Sequence, residues 1–252
     1  MHMGFEAVPI PGRMIAGVAV SCGPPASCVA AIDDGVAHRR LRLGFVNTFT
    51  AHLLLKSRDY RAALGRFLLL NDGVGLDLVS LVRYGQRFPY NLNGTDFTPF
   101  YLRSTRHTYR VYLLGGRPGI AERAAAALAR IAPRHTYVGT HHGYFPADEN
   151  AAIVADIRAK GADVVIVALG NPLQEMWIAE HLDATGARLG IGVGALLDFL
   201  ADAVPRAPLW MRRARLEWLY RMVLEPRRLW KRYVLFTPGL IVQALAERSG
   251  LI

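Results

Sequence analysis

The chain has 252 residues, 52% of them hydrophobic and 20% charged, with a formal net charge of +10 and a pI near 10. That size and apolar content give one large domain, or one domain with an appendage, and exclude a disordered or fibrous chain. So basic a chain calls for an anionic partner, whether phospholipid, nucleic acid or phosphorylated substrate, while Cys22 and Cys28 make neither a metal spacing nor a disulfide framework and read as free thiols of a reducing compartment.

Short apolar runs alternate with helical patterns along the chain. Ile15–Val20 reads as a strand, Ala26–His38 as a helix and Leu43–Thr48 as a strand. Tyr60–Leu68 reads as a helix running into a strand end at Phe67–Asn71, and Leu76–Tyr84 and Asp96–Arg103 as helices. Arg110–Leu114 is a predicted strand stopping at Gly115-Gly116, followed by an Ala-rich helix over Gly119–Ile131 and a strand over Thr136–Thr140. Asn150–Lys160 (helix), Asp163–Leu169 (strand), Leu173–His181 (helix) and Leu189–Val193 (strand) complete the series. Strand, glycine turn and helix in repetition predict an α/β fold: a Rossmann-like parallel sheet with helices on both faces, over residues 1–204. Valine-rich Val164–Val167 fits a strand buried on both faces.

Beyond Val204 the character changes. Residues 205–252 hold ten Arg or Lys against three acids, with Trp210, Trp218, Trp230, Tyr220 and Tyr233 interleaved. Met211, Ala214, Trp218 and Met222 recur at helical spacing, Pro226 ends that pattern, and a second basic-aromatic segment covers Arg227–Phe236. Basic side chains attract anionic headgroups, and Trp and Tyr favour the bilayer interface. The aromatics interleave with Leu, Met and Val at amphipathic spacing, which favours lipid over nucleic acid as the partner; a basic nucleic-acid-binding module is the competing reading. Gly23-Pro24-Pro25 and Pro238-Gly239 interrupt the apolar runs that could otherwise span a bilayer, and no apolar h-region follows the N-terminus. These readings predict a C-terminal membrane-associating appendage over residues 205–252, outside the main sheet, on a peripheral protein of the cytoplasmic membrane face.

Ligands of open parallel sheets bind at the carboxyl ends of the strands, so polar residues just after predicted strands are the candidates. Thr48 and Thr50 offer hydroxyls there, or cap the next helix. Asp72 follows three leucines and precedes spaced glycines; a partly desolvated carboxylate suits a general base, and a helix-capping turn aspartate is the alternative. Asn93, Thr95 and Asp96 precede a helix, as a cap (Thr95 or Asp96) or as a polar pocket wall for a sugar. Asn171, Gln174 and Glu175 follow Gly170 around a helix-initiating Pro172, and their amides and carboxylate suit recognition of a base or sugar. Asp198 lies one turn into the helix after Gly194. No G-x-G-x-x-G follows the first strand, which argues against a dinucleotide oxidoreductase. The glycines of Leu113–Glu122 could place a pyrophosphate on a helix N-terminus. No D-x-D follows a predicted strand, so a metal clamp for a nucleotide sugar is not expected, and phosphate charge must be met by helix N-termini or arginines.

The motifs NDGVG, NGTDF, LGNPLQEMW, GVGALLDFLAD and the basic tail, in this order from about Ile15 to Tyr233, resemble the WecG/TagA/CpsF family of glycosyltransferases. The resemblance implies the Rossmann-like GT-E fold and an inverting, metal-independent and cofactor-free transfer. The sugar moves from a UDP-sugar to a polyprenyl-diphosphate-linked sugar acceptor, at the cytoplasmic face of the bacterial inner membrane. It also implies an appendage that binds the membrane and helps to close the site, and it is compatible with a homo-oligomer. By position it makes Asp72 the catalytic base, puts Thr48 and Gln174 in the acceptor and donor pocket, and brings tail arginines, with Arg213, Arg221 and Arg227 as candidates, to the diphosphate. The family's T-x-N is here Thr48-Phe49-Thr50, and Asn91 stands where an arginine is usual. Those departures make the pattern closer to the exopolysaccharide, GumM-type branch, with glucose as the favoured sugar and an N-acetylmannosamine(uronate)-type donor as the alternative. With no metal clamp in the sequence, turnover should be the same with and without excess EDTA; complete loss, restored by magnesium or manganese, would contradict this.

Overall fold

The computed structural model describes residues 10–208, 210–211, 217–224 and 236–249. Its framework is an eight-stranded sheet of order β1-β2-β4-β3-β8-β7-β5-β6. The strands are β1 (Gly12–Ile15), β2 (Val18–Ser21), β3 (Leu41–Val46), β4 (Leu68–Asn71), β5 (Arg110–Gly115), β6 (Thr136–His141), β7 (Val164–Ala168) and β8 (Leu189–Gly192). Every pairing is parallel except β1 with β2. The expected parallel sheet is therefore present, with one antiparallel edge hairpin added.

The hairpin corrects the reading of Ile15–Val20 as one strand. Ile15 pairs with Val18, so Ala16 and Gly17 form a two-residue turn, and both have positive φ, 49° and 84°. Two successive positive φ values match the tight turns that suit strand twist. Apolar residues on both sides of the turn hide it from a hydrophobicity pattern.

Helices cover both faces. On one lie α1 (Pro25–His38), α5 (Gly94–Ser104), α6 (Ile120–Ile131) and α9 (Leu196–Leu200), packing Ile32, Tyr101, Leu128 and Leu197 against Leu43, Val111, Leu113 and Ile166. On the other lie α2 (Thr48–Lys56), α3 (Arg58–Leu64), α4 (Val74–Tyr84), α7 (Asn150–Ala159) and α8 (Leu173–Thr185), packing Leu54, Leu64, Leu76, Ile157 and Ile178 against Val46, Tyr112, Leu114 and Val165. Successive strand residues thus feed opposite cores, as the two-residue period of a strand requires. The strand read as Leu43–Thr48 ends at Val46, and Thr48 opens α2. Helix α3 stops at Leu64, before Phe67, so the predicted Tyr60–Leu68 helix is shorter by a turn.

Within the tail, α10 (Glu217–Leu224) and α11 (Thr237–Arg248) are helical and lie outside the sheet, as expected. Helix α11 packs on α4 and α2, burying Leu240 and Ala244 in the second core, and Arg83 ion-pairs with Glu247. Phe236 stacks on His52 at 4.1 Å and on Phe49 at 5.8 Å between ring centroids. No helix among the described residues is long and apolar enough to cross a membrane.

Two glycines test this packing. Gly115 ends β5 at φ +140°, and a Cβ there would lie 2.4 Å from the Ala168 carbonyl oxygen. Gly115→Ala should cost about 1–3 kcal/mol and lower the melting temperature by roughly 2–4 °C per kcal/mol. A Cβ on Gly239, in α11, meets nothing within 4 Å, so Gly239→Ala should melt at or above the parent temperature. Thermal unfolding by circular dichroism checks both, and an unaltered Gly115→Ala melt would contradict the β5–β7 approach.

Candidate active site

A cleft of ≈ 1070 Å³ opens over the carboxyl ends of the central strands. The residues that follow β3, β4, β5, β7 and β8 (Asn47, Asp72, Gly116, Leu169 and Val193) all line it. Its volume lies at the top of the roughly 300–1,000 Å³ of small-molecule pockets.

Asp72 lies half-buried in the wall, where its backbone N–H continues the ladder onto the Val46 carbonyl at 2.8 Å. The turn after it is held from the side. Fully buried Asn71 donates through Nδ2 to the Tyr90 carbonyl at 2.7 Å and accepts from Leu92 N–H on its own carbonyl at 3.1 Å. Gly73 N–H donates to Asn91 Oδ1 at 3.1 Å. Asn91, which stands where the family pattern has an arginine, is thus a clamp on the Asp72 turn.

Thr48 and Thr50 are buried rather than at the cleft surface. The cap of α2 is Asn47, whose Oδ1 accepts from Phe49 N–H at 3.0 Å and Thr50 N–H at 3.1 Å. The Thr48 methyl packs on Gly75 of α4, where a Cβ would approach it to 2.4 Å. This contact ties the Asp72 turn to α2, so both threonines support the wall from behind. Asn93 is the cap of α5, in place of Thr95 or Asp96: its Oδ1 accepts from Asp96 N–H at 3.0 Å and its Nδ2 donates to the Asp96 carboxylate at 3.1 Å. Thr95 lines the cleft. Asp96 is exposed and ion-pairs with Arg206 at 2.6 Å, fastening the start of the tail.

Asn171, Gln174 and Asp198 also line the cleft. Gln174 Oε1 accepts from Gly194 N–H at 2.9 Å, joining the loops after β7 and β8, and Gly192 lets the side chain pass, since a Cβ there would sit 3.3 Å from Gln174 Nε2. Glu175 does not reach the cleft surface. It is 1% exposed and accepts from Gln174 Nε2 at 2.7 Å, Asn171 Nδ2 at 2.6 Å and the Tyr60 hydroxyl at 3.0 Å. Burial lifts its carboxyl from the usual 4.5 to about 7, against the opposing pull of those hydrogen bonds. The same burial, then the neighbouring carboxylate, push the Tyr60 hydroxyl up and keep it a donor. Arg213 and Arg227 lie outside the described residues, as does the side chain of Arg221.

Arg117 and Tyr144 are cleft residues outside the candidates. Arg117, exposed in the Gly116-Arg117-Pro118-Gly119 loop before α6, stands just ahead of the N-terminus of that twelve-residue helix. Cation and helix N-terminus together favour an anion there. Tyr144, 68% exposed after β6, presents an aromatic ring at the rim. The loop glycines announced Arg117; nothing in the spacing announced Tyr144.

The profile of the Glycosyl transferase WecG/TagA/CpsF family matches residues 13–251. The chain is 30% identical over 207 residues to the N-acetylglucosaminyldiphosphoundecaprenol N-acetyl-beta-D-mannosaminyltransferase of Bacillus subtilis (strain 168), covering 81% of this chain and 79% of that protein.

Buried Glu175 makes a signed pH prediction. Its folded carboxyl binds a proton more tightly than the unfolded one, so between pH 4.5 and about 7 the native state holds more protons and stability falls as pH rises. The whole effect is roughly 3 kcal/mol, complete above pH 7. Glu175→Gln should flatten this part of the stability profile in denaturant unfolding between pH 4.5 and 8; an unchanged slope would contradict the assignment.

Proposed function

The chain belongs to the WecG/TagA/CpsF family of glycosyltransferases, and from that premise we propose that it moves an N-acetylmannosamine-type sugar from UDP to a polyprenyl-diphosphate-linked sugar, with inversion and without a metal. The activity of the Bacillus subtilis relative supports this donor over the glucose that the Thr48-Phe49-Thr50 and Asn91 departures suggested. The observation that carries the reading is the convergence of Asp72, Asn171, Gln174 and Arg117 on one cleft at the carboxyl ends of a parallel sheet.

In the proposed reaction the acceptor hydroxyl gives its proton to the Asp72 carboxylate. The oxygen then forms a bond to the anomeric carbon as the bond from that carbon to UDP breaks, and UDP leaves with the electron pair. A single base suffices because inversion needs one displacement. The charge growing on the diphosphate meets Arg117 and the N-terminus of α6, where a planar guanidinium pairs bidentately with phosphate. Tail arginines Arg213, Arg221 and Arg227 add to this on closure. Asn171, Gln174 and Asp198 supply polar contacts to the nucleotide or sugar, and the Tyr144 ring offers a face for a base. A lipid-linked acceptor requires docking at the bilayer, which the excess charge and tryptophans of residues 205–252 favour at the cytoplasmic face.

A UDP-release assay across UDP-N-acetylmannosamine, UDP-glucose and related donors, with a lipid-linked acceptor, tests the reading. UDP-N-acetylmannosamine should be the best donor. Asp72→Asn should lower turnover roughly 10²–10⁴-fold with UDP binding retained. Near-parent turnover in that variant would remove Asp72 as the base, and a strong preference for UDP-glucose would restore the other donor.

A further inference from the structure

Behind the cleft a chain of hydrogen bonds has a fixed polarity. It starts at Gly194 N–H, which can only donate, so the Gln174 oxygen must face it, at 2.9 Å. The Gln174 NH₂ is thereby turned to Glu175 Oε1, at 2.7 Å. The same carboxyl oxygen, Oε1, also accepts from Asn171 Nδ2 at 2.6 Å, so Asn171 presents its NH₂ there as well. Tyr60, from α3, donates to the other oxygen at 3.0 Å and fixes the carboxylate plane. Asn171 lines the cleft while its NH₂ is committed behind it. Its carbonyl oxygen is then the group left for a ligand.

We infer that Glu175 is a positioning residue that sets the amide orientation of Asn171 and Gln174, so that the cleft presents an acceptor oxygen at Asn171 and recognises a donor group of the bound sugar nucleotide, a hydroxyl or a ring N–H. The inference rests on the transferase reading for the identity of that ligand; the orientation itself does not. A buried carboxylate with no cation beside it is costly. Three donors converging on it, two of them from cleft side chains, are what a site held in one orientation requires. An Asn free to turn would present NH₂ or C=O with similar ease and would discriminate poorly, whereas a fixed acceptor rejects a ligand lacking the donor.

Glu175→Leu, Glu175→Gln and Tyr60→Phe in the full chain provide the test, with two readouts. The first is the nitrogen-15 spectrum of the Asn171 and Gln174 side-chain amides. In the parent both NH₂ groups should exchange slowly with solvent, and both should lose that protection in Glu175→Leu. The second is donor KM against kcat. Glu175→Leu should raise KM at least tenfold with a smaller change in kcat, Tyr60→Phe a few-fold, and Glu175→Gln, which keeps an oxygen toward both amides, should recover most of the loss. A folded Glu175→Leu with parent KM and protected amides overturns the inference, as does a Glu175→Gln variant as impaired as Glu175→Leu. If Glu175→Leu does not fold, rapid exchange of both amides in the parent is the overturning result and slow exchange the supporting one. Failure of the parent to turn over any nucleotide sugar would count against the transferase reading alone, since the amide spectrum decides the orientation without substrate.

Discussion

The central strands end at one edge of the sheet, within two residues of one another, and the cleft is a consequence of that. Parallel pairing sets Val46 against Asn71, Val167 against Gly192 and Gly115 against Ala168. The next residues, at 47, 72, 116, 169 and 193, therefore emerge along that edge and line one cavity. Parallel neighbours require crossover helices, and these cover both faces, so the carboxyl ends are where backbone and polar side chains remain open to a ligand. Glycines keep the ends close: Gly115 lies against the backbone of Ala168, and Gly75 lets α4 rest on Thr48. Asp72, placed by the β4 register and by Asn71 and Asn91, inherits its position from this geometry.

Charge in the site is divided between front and back. The β5–α6 loop presents Arg117 to the cavity just ahead of the N-terminus of α6, a setting that favours an anion. A few residues away Glu175 is buried among donors and held by Tyr60, Asn171 and Gln174. From behind the wall it orders the side-chain amides of Asn171 and Gln174. The polar elements of the loops after β7 and β8 act as one unit because Gln174 bridges to Gly194.

Strand and helix periodicity carried the parallel sheet, because both-face burial leaves an uninterrupted apolar run such as Val164–Val167 that has few other uses. What periodicity could not carry was local backbone chemistry. The Ala16-Gly17 turn lies between apolar residues with no Asn or Asp to mark it, and α2 begins inside a stretch that continues the apolar character of β3. Asx capping explains two displaced roles: Asn47 and Asn93 cap the helices for which neighbouring Thr and Asp residues were considered, since the cap is chosen by which oxygen reaches the free N–H groups. Spacing put Glu175 beside Gln174, but one step along α8, a rotation of about 100°, put it behind the wall. The docking of α11 onto α4 was invisible to composition, which registers the tail's charge and not its few buried contacts, Leu240 and Ala244.

A structure of the full chain with UDP and a non-reactive lipid-linked acceptor analogue measures the central claim directly. The account predicts the diphosphate at Arg117 and the N-terminus of α6, with the acceptor hydroxyl about 2.6–3.2 Å from the Asp72 carboxylate. A nucleotide bound outside this cleft, or an acceptor hydroxyl facing another side chain with Asp72 beyond hydrogen-bond reach, would contradict it.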